Sequence, residues 1–127
     1  MQQKTLVGTL ISGFGLATES LSPLYEAIRE KSGLQVVEGT LNVQLDAPYI
    51  VIPDVVLDAR KHDHHETIML QRCTVMDLPG LILRTNTQAV GESHGLDILE
   101  VMTVDRLRTT RRLSDGDPIE IRVERWV

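Results

Sequence analysis

The sequence predicts an all-β barrel built from six or seven short strands, with one or two short helices. Two observations carry that prediction. Apolar–polar alternation recurs in short runs from Leu34 to the C-terminus, separated by glycine, proline and polar clusters. Only one stretch combines a helix start, an apolar stripe and a helix stop. Strands this short and evenly spaced suit a closed barrel better than a sandwich of longer strands.

Taken in order, "TLVGTLIS" (5–12) reads as a strand with Leu6, Gly8, Leu10 and Ser12 on one side. "GFGLATES" (13–20) is a glycine-containing loop. "SPLYEAIREKSG" (22–33) is the helix: Ser22 caps it, Pro23 suits its first position and Gly33 its stop. Leu24, Ala27, Ile28 and Lys31 form its stripe. "VEGTLNVQLD" (37–46) alternates, with Leu41, Val43 and Leu45 on one face and Thr40, Asn42 and Gln44 on the other. "PYIVIPDVVL" (48–57) suits a buried strand interrupted by Pro53, and "DARKHDHHE" (58–66) is a polar connection. "TIMLQRCTVM" (67–76) and "LPGLILRTNT" (78–87) are two more strands, with Pro79-Gly80 marking a turn or bulge. "QAVGESHG" is a loop, "LDILEVMT" (96–103) a strand, "VDRLRTTRRL" (104–113) a short helix and "SDGDP" a turn. "IEIRVERW" (119–126) closes the chain as a strand.

The 127 residues are expected to form one domain, 1–127, with no repeat or linker. A single cysteine, Cys73, excludes an intramolecular disulfide and suggests a reducing, cytoplasmic setting. The N-terminal "MQQKTLVGTLISG" is too short in apolar length for a signal peptide or membrane span. A net charge of −5 argues against a general nucleic-acid binder, and the few aromatic residues argue against base-stacking platforms.

Several segments carry possible chemistry. "SGFGLAT" (12–18) follows a strand and precedes a helix, where glycines let backbone N–H groups approach an anion. A dinucleotide fingerprint is considered because Glu38 follows at the expected distance. Thr18 in the third glycine position, and the lack of further βα units, exclude it. Turn glycines are the plain alternative. Thr40 and Asn42 place two neutral oxygens on one strand face. Such a pair holds Mg²⁺ only when phosphates complete the shell, and the alternative is an exposed polar face. "HDHH" (62–65) has no cysteine and no second ligand cluster nearby, so a solvated hairpin tip is preferred to zinc. Glu100 shares a strand face with Ile98 and is suited to accept a hydroxyl proton, or is a surface glutamate. Arg106, Arg108, Arg111 and Arg112 are suited to phosphate, or form a solvated helix with cations at its C-terminal end.

Together and in this order, the segments resemble the archaeal-type CTP-dependent riboflavin kinase family, from about Leu6 to Val123. The resemblance rests on "GTLISGFG" (8–15), "EGTLNVQL" (38–45), "SHGLDILEV" (93–101), "RLR" (106–108) and "LSDGDPIEI" (113–121). It implies a six-stranded Greek-key barrel of the cradle-loop type. It also implies transfer of the γ-phosphate of CTP to the 5′-hydroxyl of riboflavin, giving FMN and CDP with Mg²⁺. Carried over by residue, Gly13, Phe14, Gly15, Leu16, Ala17 and Thr18 would hold the nucleotide, completed by Asp105, Arg106, Leu107 and Arg108. Thr40 and Asn42 would ligate Mg²⁺. Glu92 and Glu100 would contact the flavin, with Glu100 orienting or deprotonating its hydroxyl. A monomer or small homo-oligomer without membrane or nucleic-acid partners is expected.

Two positions depart from the family pattern. Ala17 stands where a further glycine is usual and resists positive φ. Glu92 stands where a threonine is usual and would repel Glu100. These departures motivate an alternative, a non-catalytic flavin- or nucleotide-binding member of the same barrel family. A purely structural barrel acting through a protein partner is a third reading.

Overall fold

Strand β1 (Lys4–Ile11) buries Gly8 and Leu10 and exposes Thr5, Val7 and Thr9, the period-2 pattern expected of a half-buried strand. A computed structural model describes residues 3–12, 24–58, 67–85 and 96–127. The glycine loop 13–18, Ser22 and Pro23, the His62–His65 cluster and Glu92 lie outside these residues. Helix α1 (Tyr25–Ser32) follows, then β2 (Leu41–Leu45), β3 (Val55–Asp58), β4 (Thr67–Val75), β5 (Leu78–Thr85) and β6 (Ile98–Thr103). A single helical turn, α2 (Leu107–Thr110), and strand β7 (Pro118–Val123) complete the described elements. No helix among the described residues is long and apolar enough to cross a membrane.

The sheet order is β3-β4-β5-β6-β2-β1-β7, every pairing between neighbours is antiparallel, and a β4–β7 pairing closes it. One edge of β4 is shared. Its first residues pair with β3, as in Leu70 with Val55, while Thr74 and Val75 pair with Arg122 and Ile121 of β7. The closed barrel therefore has six strands, β4-β5-β6-β2-β1-β7, with β3 as an appendix. Consecutive β4, β5 and β6 lie side by side, and β2 returns beside β6, which is a Greek-key connection. This is the fold class the sequence predicts.

Two cores hold it together. Inside the barrel pack Leu10, Val43, Ile82, Leu99, Val101, Ile119 and Ile121, all at most 1 % exposed. Outside it, Ile68, Leu70, Leu81, Leu83 and Met102 of β4, β5 and β6 meet Leu24, Tyr25 and Ile28 at the start of α1. Helix α1 thus covers the outer face of these three strands, which explains why β5 is buried without interruption from Gly80 to Thr85. One barrel end is plugged by polar side chains. Buried Gln71 accepts from the Tyr49 hydroxyl at 2.8 Å and from the Ile52 N–H at 3.1 Å, and donates to the Arg125 carbonyl at 2.8 Å. The Arg84 guanidinium, 2 % exposed, donates to the carbonyls of Tyr49, Leu96 and Ile98. Burial lowers its pKa, opposed by the fields of Tyr49 and Glu100.

The structure corrects four details of the sequence reading. The β4–β5 turn is Met76-Asp77, at φ 47° and 72°, not Pro79-Gly80. Positive φ at both central residues matches the strand twist in a two-residue hairpin. Pro79 and Gly80 instead pair with Thr74 and Cys73 inside the hairpin. A Cβ on Gly80 would stand 2.8 Å from the Met102 carbonyl, so glycine there serves close strand approach. The segment 48–57 becomes strand only from Val55, where β3 begins, while Tyr49 and Val51 before it pack into the barrel core. The second helix is one turn rather than ten residues, with Arg112 at φ 52° beyond it. On α1, Tyr25 belongs to the buried side and Lys31 is exposed, so the stripe is shifted. Gly33 does end the helix as expected, at φ 75°, with its N–H on the Arg29 carbonyl.

Candidate functional site

On the outer face, register aligns Ile11, Asn42, Glu100 and Leu83 across β1, β2, β6 and β5. Asn42 is therefore the direct cross-strand neighbour of Glu100, with Cβ atoms spaced by about 4.5–5.5 Å in such pairs. Alternation explains the placement. Leu41, Val43 and Leu45 point into the barrel core, so Asn42 must point out. Its side chain is nevertheless only 7 % exposed. Glu100 is half-buried. One step further along, Gln44 donates to the Asp97 carboxylate at 2.6 Å.

Thr40 lies just before β2. Its Oγ1 is buried and has no hydrogen-bond partner among the described residues. A buried hydroxyl normally finds a partner, and an unsatisfied one costs about 1–3 kcal/mol. The chain leading to it is held firmly. The Val37 N–H donates to the Thr103 carbonyl at 2.8 Å, and the Gly39 N–H donates to the Tyr25 hydroxyl at 2.6 Å. Gly39 sits at φ 99°, a conformation that strongly favours glycine, which accounts for the glycine of "EGTLN". Burial raises the Tyr25 pKa, opposed first by the hydrogen bond from the Gly39 N–H, while Glu38 raises it and Arg29 and Arg106 lower it; the net shift is upward, so the phenol stays neutral around pH 7.

A second cluster stands where β1 ends. Arg108 donates to the Asp115 carboxylate at 2.7 Å and to the Ile11 carbonyl at 3.2 Å, and the Ser12 hydroxyl also donates to Asp115. Those two hydrogen bonds, Ser12 first, lower the Asp115 pKa. The "SDGD" turn is docked on β1 by its backbone. Gly116, at φ 94°, donates to the Leu10 carbonyl, and the Leu10 N–H donates to the Asp117 carbonyl, each at 2.8 Å. Because Ile11 is the partner of Asn42, the Arg108 cluster adjoins the Asn42–Glu100 pair at the point where the chain enters residues 13–18.

The sequence-derived residues fall into four groups. Thr40, Asn42, Glu100 and Arg108 are brought to one end of the outer face. Asp105 and Arg106 lie next to it: the Asp105 carbonyl accepts from Thr103 Oγ1 at 2.6 Å, and Arg106 is felt by Tyr25. Leu107 is 1 % exposed and its side chain belongs to the barrel core, so only its backbone is available to a ligand. Residues 13–18 and Glu92 lie outside the described residues. Ser12, Asp115 and Tyr25 join the arrangement without having been singled out. The "DGD" turn signalled Asp115, but nothing local signals Tyr25. No group of three or more His, Cys, Asp or Glu is gathered among the described residues. The donor set at Thr40 and Asn42 is two neutral oxygens, one of them an orphan, which suits a hard cation that takes its remaining ligands from phosphate and water.

Comparison with known proteins gives a consistent picture. The family model CTP-dep_RFKase, described as domain of unknown function DUF120, matches residues 10–123. A protein of Pyrobaculum islandicum named riboflavin kinase is 28 % identical over 129 residues, covering 93 % of this chain and 59 % of the relative. Riboflavin kinases of Pyrobaculum arsenaticum and Thermofilum pendens are 29 % and 28 % identical, covering 93 % and 92 % of this chain and 60 % and 57 % of those proteins. The chain thus spans about three fifths of the length of the curated relatives it matches. With that family model matched across nearly all of its strands, the chain belongs to the CTP-dependent riboflavin kinase domain family.

Proposed function

We propose that this chain transfers the γ-phosphate of CTP to the 5′-hydroxyl of riboflavin. The observation that carries the reading is the buried, unpartnered Thr40 hydroxyl two residues from Asn42, itself paired in register with Glu100. Family membership and the name riboflavin kinase on its relatives support the same chemistry.

In this reading the riboflavin 5′-oxygen forms a bond to the γ-phosphorus while the bond from that phosphorus to the β,γ-bridging oxygen breaks, releasing CDP. Glu100 orients the hydroxyl and takes its proton as the new bond forms. Thr40 and Asn42 hold Mg²⁺, which when bound supplies neutralisation of phosphate charge. Arg108, held by Asp115 and the Ile11 carbonyl, would bind the nucleotide phosphates together with residues 13–18. Phosphoryl transfer demands positioning and electrostatics rather than covalent catalysis, so this small set of groups suffices.

The test incubates the purified chain with riboflavin, Mg²⁺ and either CTP or ATP, and follows FMN by chromatography. FMN formed preferentially with CTP is the expected result. No FMN with any nucleoside triphosphate would sink the proposal, and ligand binding without turnover would mark a non-catalytic member.

A further inference from the structure

We infer that Tyr25 is a positioning residue for the cation–nucleotide site, acting through the Gly39 N–H on the orientation of Thr40. The inference rests on the reading of Thr40 and Asn42 as cation ligands given above.

Three observations converge on this role. First, the Tyr25 hydroxyl accepts the Gly39 N–H at 2.6 Å, a contact fourteen positions away in sequence. Gly39 is in the left-handed region, so the peptide entering Thr40 is held in a conformation that the chain does not adopt by default. Second, the residue after it carries the one buried side-chain oxygen that has no partner among the described residues. An unpartnered hydroxyl has nothing of its own to hold it in place, so its direction depends on the backbone before it. Third, Tyr25 itself is rigid. It is 1 % exposed in the outer core, at the first turn of α1, and Arg29 lies over its ring at 5.6 Å while donating to the Val36 carbonyl at 2.9 Å. One aromatic side chain therefore links α1, the Val36–Gly39 segment and the start of β2.

A phenol suits this task because its oxygen reaches across the gap while its ring is locked by packing. Tyr25→Phe removes the acceptor and keeps the ring, leaving the Gly39 N–H free to turn away. Thr40 Oγ1 would then sample directions useless for a cation. Flavin contacts made by Glu100 come from β6, which Tyr25 does not touch by hydrogen bond, so they should be spared.

The experiment titrates Mn²⁺, read by electron paramagnetic resonance, into the full chain with saturating CDP. Wild type, Tyr25→Phe and Asn42→Ala are compared, and riboflavin binding is followed separately by flavin fluorescence quenching. Tyr25→Phe is expected to weaken Mn²⁺ binding about tenfold, the size expected for one lost hydrogen bond at a buried donor, with riboflavin affinity unchanged. Unchanged Mn²⁺ affinity in Tyr25→Phe, with Asn42→Ala impaired, overturns the role of Tyr25 alone. Equal weakening of Mn²⁺ and riboflavin also overturns it, since that is general loosening. A wild type that takes up no Mn²⁺ with CDP overturns the cation reading and the role of Tyr25 with it. Should Tyr25→Phe fold poorly, hydrogen exchange at the Gly39 amide of the wild type decides. Slowing on addition of Mg²⁺ and CDP supports the coupling, and no change overturns it.

Discussion

Thr40→Val separates stability from function at a single atom. The substitution keeps the β-branched shape and replaces Oγ1, buried and without a partner among the described residues, by a methyl group. An unsatisfied buried hydroxyl costs about 1–3 kcal/mol, and an additional buried carbon contributes up to about 0.8 kcal/mol. Thr40 as a residue is only half-buried, so the lower end of these figures applies, a net gain of about 1 kcal/mol in the ligand-free chain. For a domain of this size that raises Tm by about 3–5 °C. The same change deletes one of the two proposed cation ligands. Loss of groups that merely support metal ligands costs about 10–100-fold in affinity or activity, so loss of a ligand should cost no less. The assay is thermal unfolding followed by circular dichroism, with and without Mg²⁺ and CTP, alongside FMN formation. Wild type should gain Tm with the ligands by mass action, whereas Thr40→Val should start higher and gain little. A variant that melts no higher than wild type and keeps both the ligand shift and the activity would refute the reasoning. Its hydroxyl would then have been satisfied in the free protein and irrelevant to the ligand.

Arg108→Ala should raise KM for the nucleotide about tenfold with a much smaller change in kcat, measured by steady-state kinetics. The Arg108–Asp115 pair is roughly half exposed on both sides, so unfolding free energy should move by less than about 1 kcal/mol. Gly80→Ala should destabilise by about 1–3 kcal/mol in urea unfolding, because the new Cβ would lie 2.8 Å from the Met102 carbonyl and 3.0 Å from Val75 Cγ2. Burial pushes the Cys73 thiol from 9.0 up to about 12. A folded pKa above the unfolded one gives stability that is complete below pH 9 and is lost as pH rises towards 12. Cys73→Ala should flatten that part of the alkaline stability profile, and the wild-type thiol should resist iodoacetamide at pH 8.

Much of the architecture was legible locally. Alternation along 5–12, 96–103 and 119–126 reproduces β1, β6 and β7 to within a residue or two at most ends, because a strand's two-residue period is a property of its own side chains. Gly33 announced the end of α1 for a similarly local reason, the left-handed φ it supplies. Where reading failed, the cause was an interaction with a distant element. Pro79-Gly80 looked like a turn by composition. The hairpin reversed at Met76-Asp77 because Gly80 was needed against the Met102 carbonyl of β6. The apolar run around Tyr49 looked like strand, yet its side chains were wanted as the plug of the barrel end, where Tyr49 meets Gln71.

The functional face divides in the same way. By itself the sequence determined which residue types face outward on β2, and so offered Thr40 and Asn42 as a pair of oxygens. It also held the glycine that the left-handed turn before Thr40 requires. What only the tertiary structure decided is their company: Glu100 beside Asn42 through the β2–β6 register, Arg108 and Asp115 at the end of β1, and Tyr25 on Gly39. Register between strands far apart in sequence depends on how both cores pack at once. No single segment encodes it, because a side chain's period fixes which face it takes but not which neighbour it meets.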